Sequence, residues 1–298
     1  MINGALFVFG LICLGFLPMI GQDYLVGIGF TLLTWIALTQ SWTILSGFAG
    51  YISLGHVVFF GIGGYFVALT WETLPYWVSV PLASLITFAF AIAISIPVLR
   101  VRGPYFVILT FGLAEFVKYV VMGVEAYFGQ FGRLLLDVPS LATLYWLTLF
   151  LAALATLITF AIRGSRLGQG LVAIREDEEA AEAIGVPVTR YKTLAYGLSA
   201  VIPGAIGGLM ALRTSYFEPQ QVFDPVVSFT VLTMAIIGGS DDARGPILGA
   251  AFLTLLSELL WARAPQLYLI LLGILLITFV LVLPNGLYGL LRRRTAQG

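Results

Sequence analysis

The 298-residue sequence holds one cysteine, Cys13, one histidine, His56, and two lysines, Lys118 and Lys192. A single cysteine excludes disulfides within the chain and cysteine metal clusters, and a single histidine excludes a histidine-rich metal site. Neither lysine stands in a G-x-x-x-x-G-K-[ST] loop, whose backbone N–H groups cradle nucleotide phosphates, so no ATP site of that kind exists. Charge is scarce too: 10% of the residues are Asp, Glu, Lys or Arg, against about 25% in a typical soluble domain. Fifteen basic and fifteen acidic residues cancel, which leaves no basic field for nucleic acid. A membrane-embedded enzyme would need a nucleophile–base set or a metal site, and a lone histidine without a cysteine cluster argues against both.

What the sequence has in abundance is apolar length. Hydrophobic residues make up 60% of the chain and the mean hydropathy is +1.01. A globule of this size buries only about 75% of the surface its unfolded chain exposes, too little to hide so much apolar area. The runs are long and unbroken rather than alternating over about ten residues, so the spans are helices and not barrel strands. Charges, prolines and glycines cut the chain into ten expected spans: 3–20, 25–46, 54–71, 77–99, 104–123, 141–162, 192–212, 226–239, 246–262 and 267–284. The first reads as a retained helix rather than a leader, because no Lys or Arg precedes it and no small-x-small site follows it. The pair 226–239 and 246–262 is short and is separated by Gly238–Gly245; it reads as two spans or as one hairpin that only partly crosses. The fold expected is all-α, one polytopic bundle over 1–298.

Lys and Arg set the direction. Placing the C-terminus in the cytoplasm puts eleven of them inside, at 100, 102, 163, 166, 175, 190, 192, 244 and 292–294, against three outside, Arg133, Arg213 and Arg263. Ten spans then leave both termini cytoplasmic, with a connecting segment at 163–191 and a basic tail at 285–298. Pro104, Pro225 and Pro246 suit first helical turns, and Pro203 predicts a kink within 192–212. Gly61, Gly63 and Gly64, and again Gly204, Gly207 and Gly208, allow close backbone approach or line a pore.

The connecting segment gathers five of the fifteen acidic residues, Glu176, Asp177, Glu178, Glu179 and Glu182, into seven positions. Asp177 suits the cap of a short amphipathic helix with an acidic first turn, and Gly185 its stop. Two charges fall within a span: Glu115 and Lys118, three residues apart, share a face and pair with each other, or meet the two ends of a zwitterion on a pathway. Glu258 is more isolated, with Arg263 a turn beyond. His56 and Ser53 stand where the third span begins, among Gly55, Gly61 and Gly63, and a hydrogen bond steadying a helix bend is the expected role of His56.

Glu179-Ala180-Ala181 with Gly185 resembles the EAA-x-x-x-G pattern of ABC importer permeases, although no Ile-x-Leu-Pro follows. The run from Leu45 through Ser53-Leu54-Gly55-His56 to Tyr65 is similar to the G-x-x-G-x-x-S-L-G-H-x-x-F-F-G-I-G-x-Y block of branched-chain amino acid ABC permeases. Arg102-Gly103-Pro104-Tyr105-Phe106-Val107-Ile108-Leu109-Thr110, Ala173–Gly185, Gly238-Gly239 with Gly245–Ala250, and Pro284–Leu291 resemble, in order, further blocks of the LivM branch. Over four fifths of the chain is covered.

The resemblance implies a permease subunit of an importer in the bacterial inner membrane. Its expected partners are a sister LivH-like permease, two cytoplasmic ATPases that bind Mg-ATP, and an external substrate-binding protein. This chain itself is expected to bind no cofactor and no metal. The residues expected to meet the ATPase are Arg175, Glu176, Asp177, Glu179, Ala180, Ala181, Glu182 and Gly185. Those expected on a translocation pathway are Glu115, Lys118, Ser53, His56 and Thr110. Urea and short-amide permeases resemble the same branch, so a urea solute is the alternative. An ion-coupled secondary carrier is a third reading, and the inverted repeats usual in carriers are not evident here.

Overall fold

The computed structural model describes residues 14–20, 22–130 and 132–261, together with isolated positions at 270, 273, 274, 277–279, 281 and 286–289. Apolar stretches become helices because a helix satisfies its backbone groups from within. Helix α1 spans Asp23–Trp42 and runs on through a π-helical turn, Thr43–Gly47; then follow α2 (His56–Thr70), α3 (Tyr76–Val98), α4 (Pro104–Tyr127) and α5 (Leu141–Gly164). The connecting segment folds as α6 (Arg166–Glu176) and α7 (Glu178–Ala183). After it come α8 (Val188–Thr214), a single turn α9 (Pro219–Val222), α10 (Pro225–Gly238) and α11 (Gly245–Trp261).

Six stretches are long and apolar enough to cross a membrane: Asp23–Gly47, α3, α4, α5, α8 and Pro219–Gly238; α2 and α11 are shorter apolar helices. These elements match eight of the ten expected spans. Of the other two, 3–20 lies mostly outside the described residues, its end forming a 3-10 turn at Leu17–Ile20. The span 267–284 lies outside them apart from isolated positions. The doubtful pair at 226–262 is a helical hairpin. Its first arm, α10, is about 21 Å long at 1.5 Å per residue, short of a hydrocarbon core of about 30 Å, and reaches span length only with the Pro219–Val222 turn added.

Helix α8 forms the axis. Over its most apolar stretch 78% of the residues are buried, against 17% for α4, which lies at the edge. The expected packing role of the glycines is visible at the crossing of α2 and α8. A Cβ at Gly63 would strike the Gly204 carbonyl, and one at Gly207 would strike the Phe60 carbonyl, so the two backbones touch with no side chain between them. Helix α8 continues through Pro203 without interruption. Thr87 of α3 donates to the Ala200 carbonyl across the α3–α8 contact (3.0 Å).

At the end away from the connecting segment, Arg133–Leu134 (β1) pairs antiparallel with Tyr216–Phe217 (β2), Arg133 facing Phe217. Glu125 of α4 anchors this pair: it is 2% exposed and accepts from Arg133 and from the Tyr65 hydroxyl, each at 2.9 Å. Glu258 accepts from the Tyr24 hydroxyl at 2.7 Å, which ties α11 to α1. The expected partner Arg263 lies outside the described residues. Between β2 and α10 the chain turns back into the bundle, where the buried Phe223 ring occupies the space beside Gly61.

Candidate functional site

The connecting segment breaks in two at Asp177, whose backbone is extended (φ −158°, ψ 114°). Its carboxylate accepts from the N–H groups of Glu179 (2.9 Å) and Ala180 (3.0 Å), capping α7 at an end where negative charge also suits the helix dipole. Gly185 follows with φ +89°, a left-handed conformation that glycine adopts without strain. Ser165 caps α6 in turn by accepting from Gly168 N–H (3.3 Å). The short amphipathic helix read from the sequence, capped by Asp177 and stopped at Gly185, is thus present as α7; the helix α6 before it goes beyond that reading, and the extended Asp177 backbone separates the two.

That break divides the acidic run. Glu176, Asp177, Glu179 and Glu182 are exposed, together with Ala180, Gly185 and Ile184, the last at 77%. Ala181 is buried and packs in the cluster that includes Leu171, Ile174 and Val188. Glu178 turns inward. Its carboxylate accepts from Lys192 Nζ (2.6 Å) and the Tyr51 hydroxyl (2.7 Å), and Arg102 stands 3.1 Å away. Lys192, only 5% exposed, also donates to Tyr51 Oη (2.9 Å) and the Leu99 carbonyl (3.4 Å). One carboxylate on α7 thus gathers the start of α8, the link between α3 and α4, and the loop before α2.

Electrostatics follow from that crowding. Burial pushes the Glu178 pKa up, but the hydrogen bonds from Lys192 and Tyr51 and the charges of Lys192 and Arg102 outweigh it, leaving the carboxyl below its ordinary value. Burial, followed by the hydrogen bond to the Glu178 carboxylate, raises the Tyr51 hydroxyl well above the usual phenol value. Arg175 makes a second junction. Its Nη1 donates to Asp241 Oδ1 (2.6 Å) and to the Gly47 carbonyl (3.0 Å), joining α6 to the π turn after α1 and to the loop between α10 and α11.

The residues expected on a pathway fall into two separate places. Ser53, His56 and Thr110 come together under the loop before α2. There the Thr110 hydroxyl accepts from Leu54 N–H (3.1 Å) and the Ser53 hydroxyl from Gly55 N–H (3.1 Å), satisfying a loop that has no ladder of its own. His56 is 2% exposed and meets Phe59 edge-on, ring centroids 5.9 Å apart. It lies beside the Ser199 carbonyl, which Pro203 deprives of its helical donor, yet neither ring nitrogen reaches hydrogen-bond geometry among the described residues. The expected bond at a helix bend is thus replaced by aromatic packing. Glu115 and Lys118 pair with each other further along α4, about 7.5 and 12 Å of helix rise beyond Thr110. Among the described residues no group of three or more His, Cys, Asp or Glu could hold a metal ion.

Reasoning from sequence missed Glu178, Tyr51, Arg102 and Lys192 as one unit. The available signal was a lysine in the first turns of an otherwise apolar span, fourteen residues after an acidic helix start.

A family model described as branched-chain amino acid transport system, permease component, matches residues 24–280. The high-affinity branched-chain amino acid transport system permease proteins LivM of Salmonella typhimurium and of Escherichia coli K12 are each 27% identical over 301 aligned positions, covering 90% of this chain and 70% of the relative. LivH of Escherichia coli K12 is 27% identical over 154 positions, 51% of this chain and 49% of the relative. No solved structure matches the chain significantly. An all-α bundle with six stretches able to span a membrane and a family match across most of its length lead to one statement: the chain belongs to the family of permease components of branched-chain amino acid transport systems.

Proposed function

We propose that the chain is a permease subunit of an ABC importer that moves branched-chain or related hydrophobic amino acids across the bacterial inner membrane. A LivH-like sister chain completes the pore, two ATPases bind and hydrolyse Mg-ATP, and an external binding protein delivers the solute. The chain crosses the membrane ten times with both termini in the cytoplasm, and residues 163–191 face the ATPases. The observation that carries this reading is α7: an acidic, exposed surface on one side and, on the other, a carboxylate wired into three segments of the bundle.

The mechanism follows from that wiring. Glu179, Glu182 and Ile184 present charge and apolar area to an ATPase groove, while Asp177 and Gly185 fix where α7 begins and ends. Movement of the groove displaces α7. Glu178 passes the displacement to Lys192 at the start of α8, and Arg175 passes it to the end of α1 and to the 239–245 loop. The bundle then alternates between outward and inward access by rigid shifts of packed helices. Glu115 and Lys118 neutralise each other on the edge helix and serve as a structural pair.

Tagging the chain in its native membranes, extracting it gently and identifying what accompanies it tests the assembly. Recovery of two ATPases and a second polytopic permease is expected, with ATP-driven uptake of leucine in vesicles of that complex. Uptake of urea instead of leucine would overturn the solute assignment, and solute movement by the chain alone on an ion gradient would overturn the class.

A further inference from the structure

Between α1, α2, α8 and α10 lies a cavity of about 120 Å³, walled by Phe30, Leu38, Phe60 and Val227. A dry apolar cavity of about 150 Å³ accepts a benzene molecule, so this one has the size for a four-carbon aliphatic group. Two polar groups stand on its largely apolar wall, a buried hydroxyl and a half-buried guanidinium. The Thr34 hydroxyl is buried and has no hydrogen bond among the described residues. Arg213, in the last turn of α8, has no carboxylate partner among the described residues. Its guanidinium folds back onto α1 instead of reaching away from the bundle: Cζ lies 4.4 Å from the Phe30 ring centroid, and Nη1 donates to the Thr31 hydroxyl at 3.1 Å. A half-buried guanidinium without an anion carries a desolvation cost, and a bound anion is the simplest way to offset it.

We propose that this cavity is a resting place for an aliphatic α-amino acid at the Arg213 end of α8. The carboxylate lies on Arg213 and the Thr31 hydroxyl, Thr34 accepts from the ammonium, and the aliphatic side chain fills the apolar space. The inference rests on the transport reading above and adds the residues that recognise the solute. It also carries a selectivity: urea offers neither an anion for Arg213 nor an aliphatic group for the cavity.

The test uses the whole transporter in membrane vesicles, with Cys13→Ser removing this chain's sole cysteine, Thr34→Cys placing a thiol on the wall, and modification read on this chain alone after its separation from the others. The rate of modification by a small methanethiosulfonate reagent is followed with and without L-leucine. Leucine is expected to slow the reaction in a saturable way while urea does not. Adding Arg213→Gln is expected to raise the leucine concentration needed for protection about tenfold or more, the scale of one charge-assisted hydrogen bond. Because Arg213→Gln can disturb assembly, Val227→Phe provides a second reading: by filling the cavity it is expected to lower leucine uptake more than alanine uptake. A thiol that never reacts, or one that reacts at the same rate with leucine in vesicles that take leucine up, overturns the site and leaves the transport reading intact. Absence of ATP-driven leucine uptake in unsubstituted vesicles overturns the transport reading itself.

Discussion

Glu178 has four acidic neighbours within seven positions and is the one that turns inward. Removing its charge leaves Lys192 buried without its anion and with Arg102 as a like-charged neighbour, and breaking a buried pair in this way costs about 3–5 kcal/mol. Glu178→Gln is expected to lower the melting temperature of the complex and to let ATP hydrolysis continue while uptake falls about tenfold. Pairing it with Lys192→Met is expected to restore melting but not uptake, a split that a purely structural pair would not give. The same carboxyl sets a pH dependence. Its pKa lies below the ordinary 4.5, so it contributes stability above that value and loses it as pH falls through the lower folded value. Thermal melts below pH 4.5 are expected to drop less steeply for Glu178→Gln than for the unsubstituted protein.

At the scale of the element, α7 has six residues, too few for a helix that stands by itself. The Asp177 cap is therefore a large part of what holds it, and Asp177→Ala is expected to cost about 1 kcal/mol. The checks are faster hydrogen exchange at 178–184 and weaker retention of the ATPases on a column. Much of this region is legible in the sequence: Asp177 as cap, Gly185 as stop, acid in the first turn. Its phase is not. Which of Glu176, Glu178, Glu179 and Glu182 faces the bundle depends on the extended backbone at Asp177, which rotates α7 relative to α6, and no periodicity rule predicts that rotation. Tyr51 and Arg102 lie far from Glu178 in sequence, so their convergence is a tertiary fact. Lys192 and Arg213 are visible beforehand only as votes for sidedness. The spans, by contrast, declare themselves, because apolar length alone decides where lipid-crossing helices form. The exception is α10, which starts within the bundle because the chain turns back at Phe223.

For the whole molecule, two predictions concern sidedness and packing. A thiol introduced at Glu179 in the Cys13→Ser background is expected to react with a membrane-impermeant maleimide only from the cytoplasmic side; labelling from outside would reverse the topology. Gly63→Leu is expected to abolish accumulation of folded protein, since its side chain would drive into the α8 backbone. Gly123→Leu, on the edge helix with nothing within 4 Å of a new Cβ, is expected to be tolerated. Yield and a monodisperse chromatographic peak decide both.

The backbone contact between α2 and α8 has a mechanical meaning. Side-chain layers between helices act as compliant padding, because rotamers can turn and absorb a fraction of any shift. At Gly63 and Gly204 that padding is missing. Under the coupling proposed above, displacement entering α8 at Lys192 is expected to reach α2 with little lost in the joint, and α2 begins at His56, beneath the loop that Ser53 and Thr110 hold. Two helices separated by more than a hundred residues of sequence are thus built as one stiff strut, and in the proposed transporter its stroke is expected to start at the end where α7 sits.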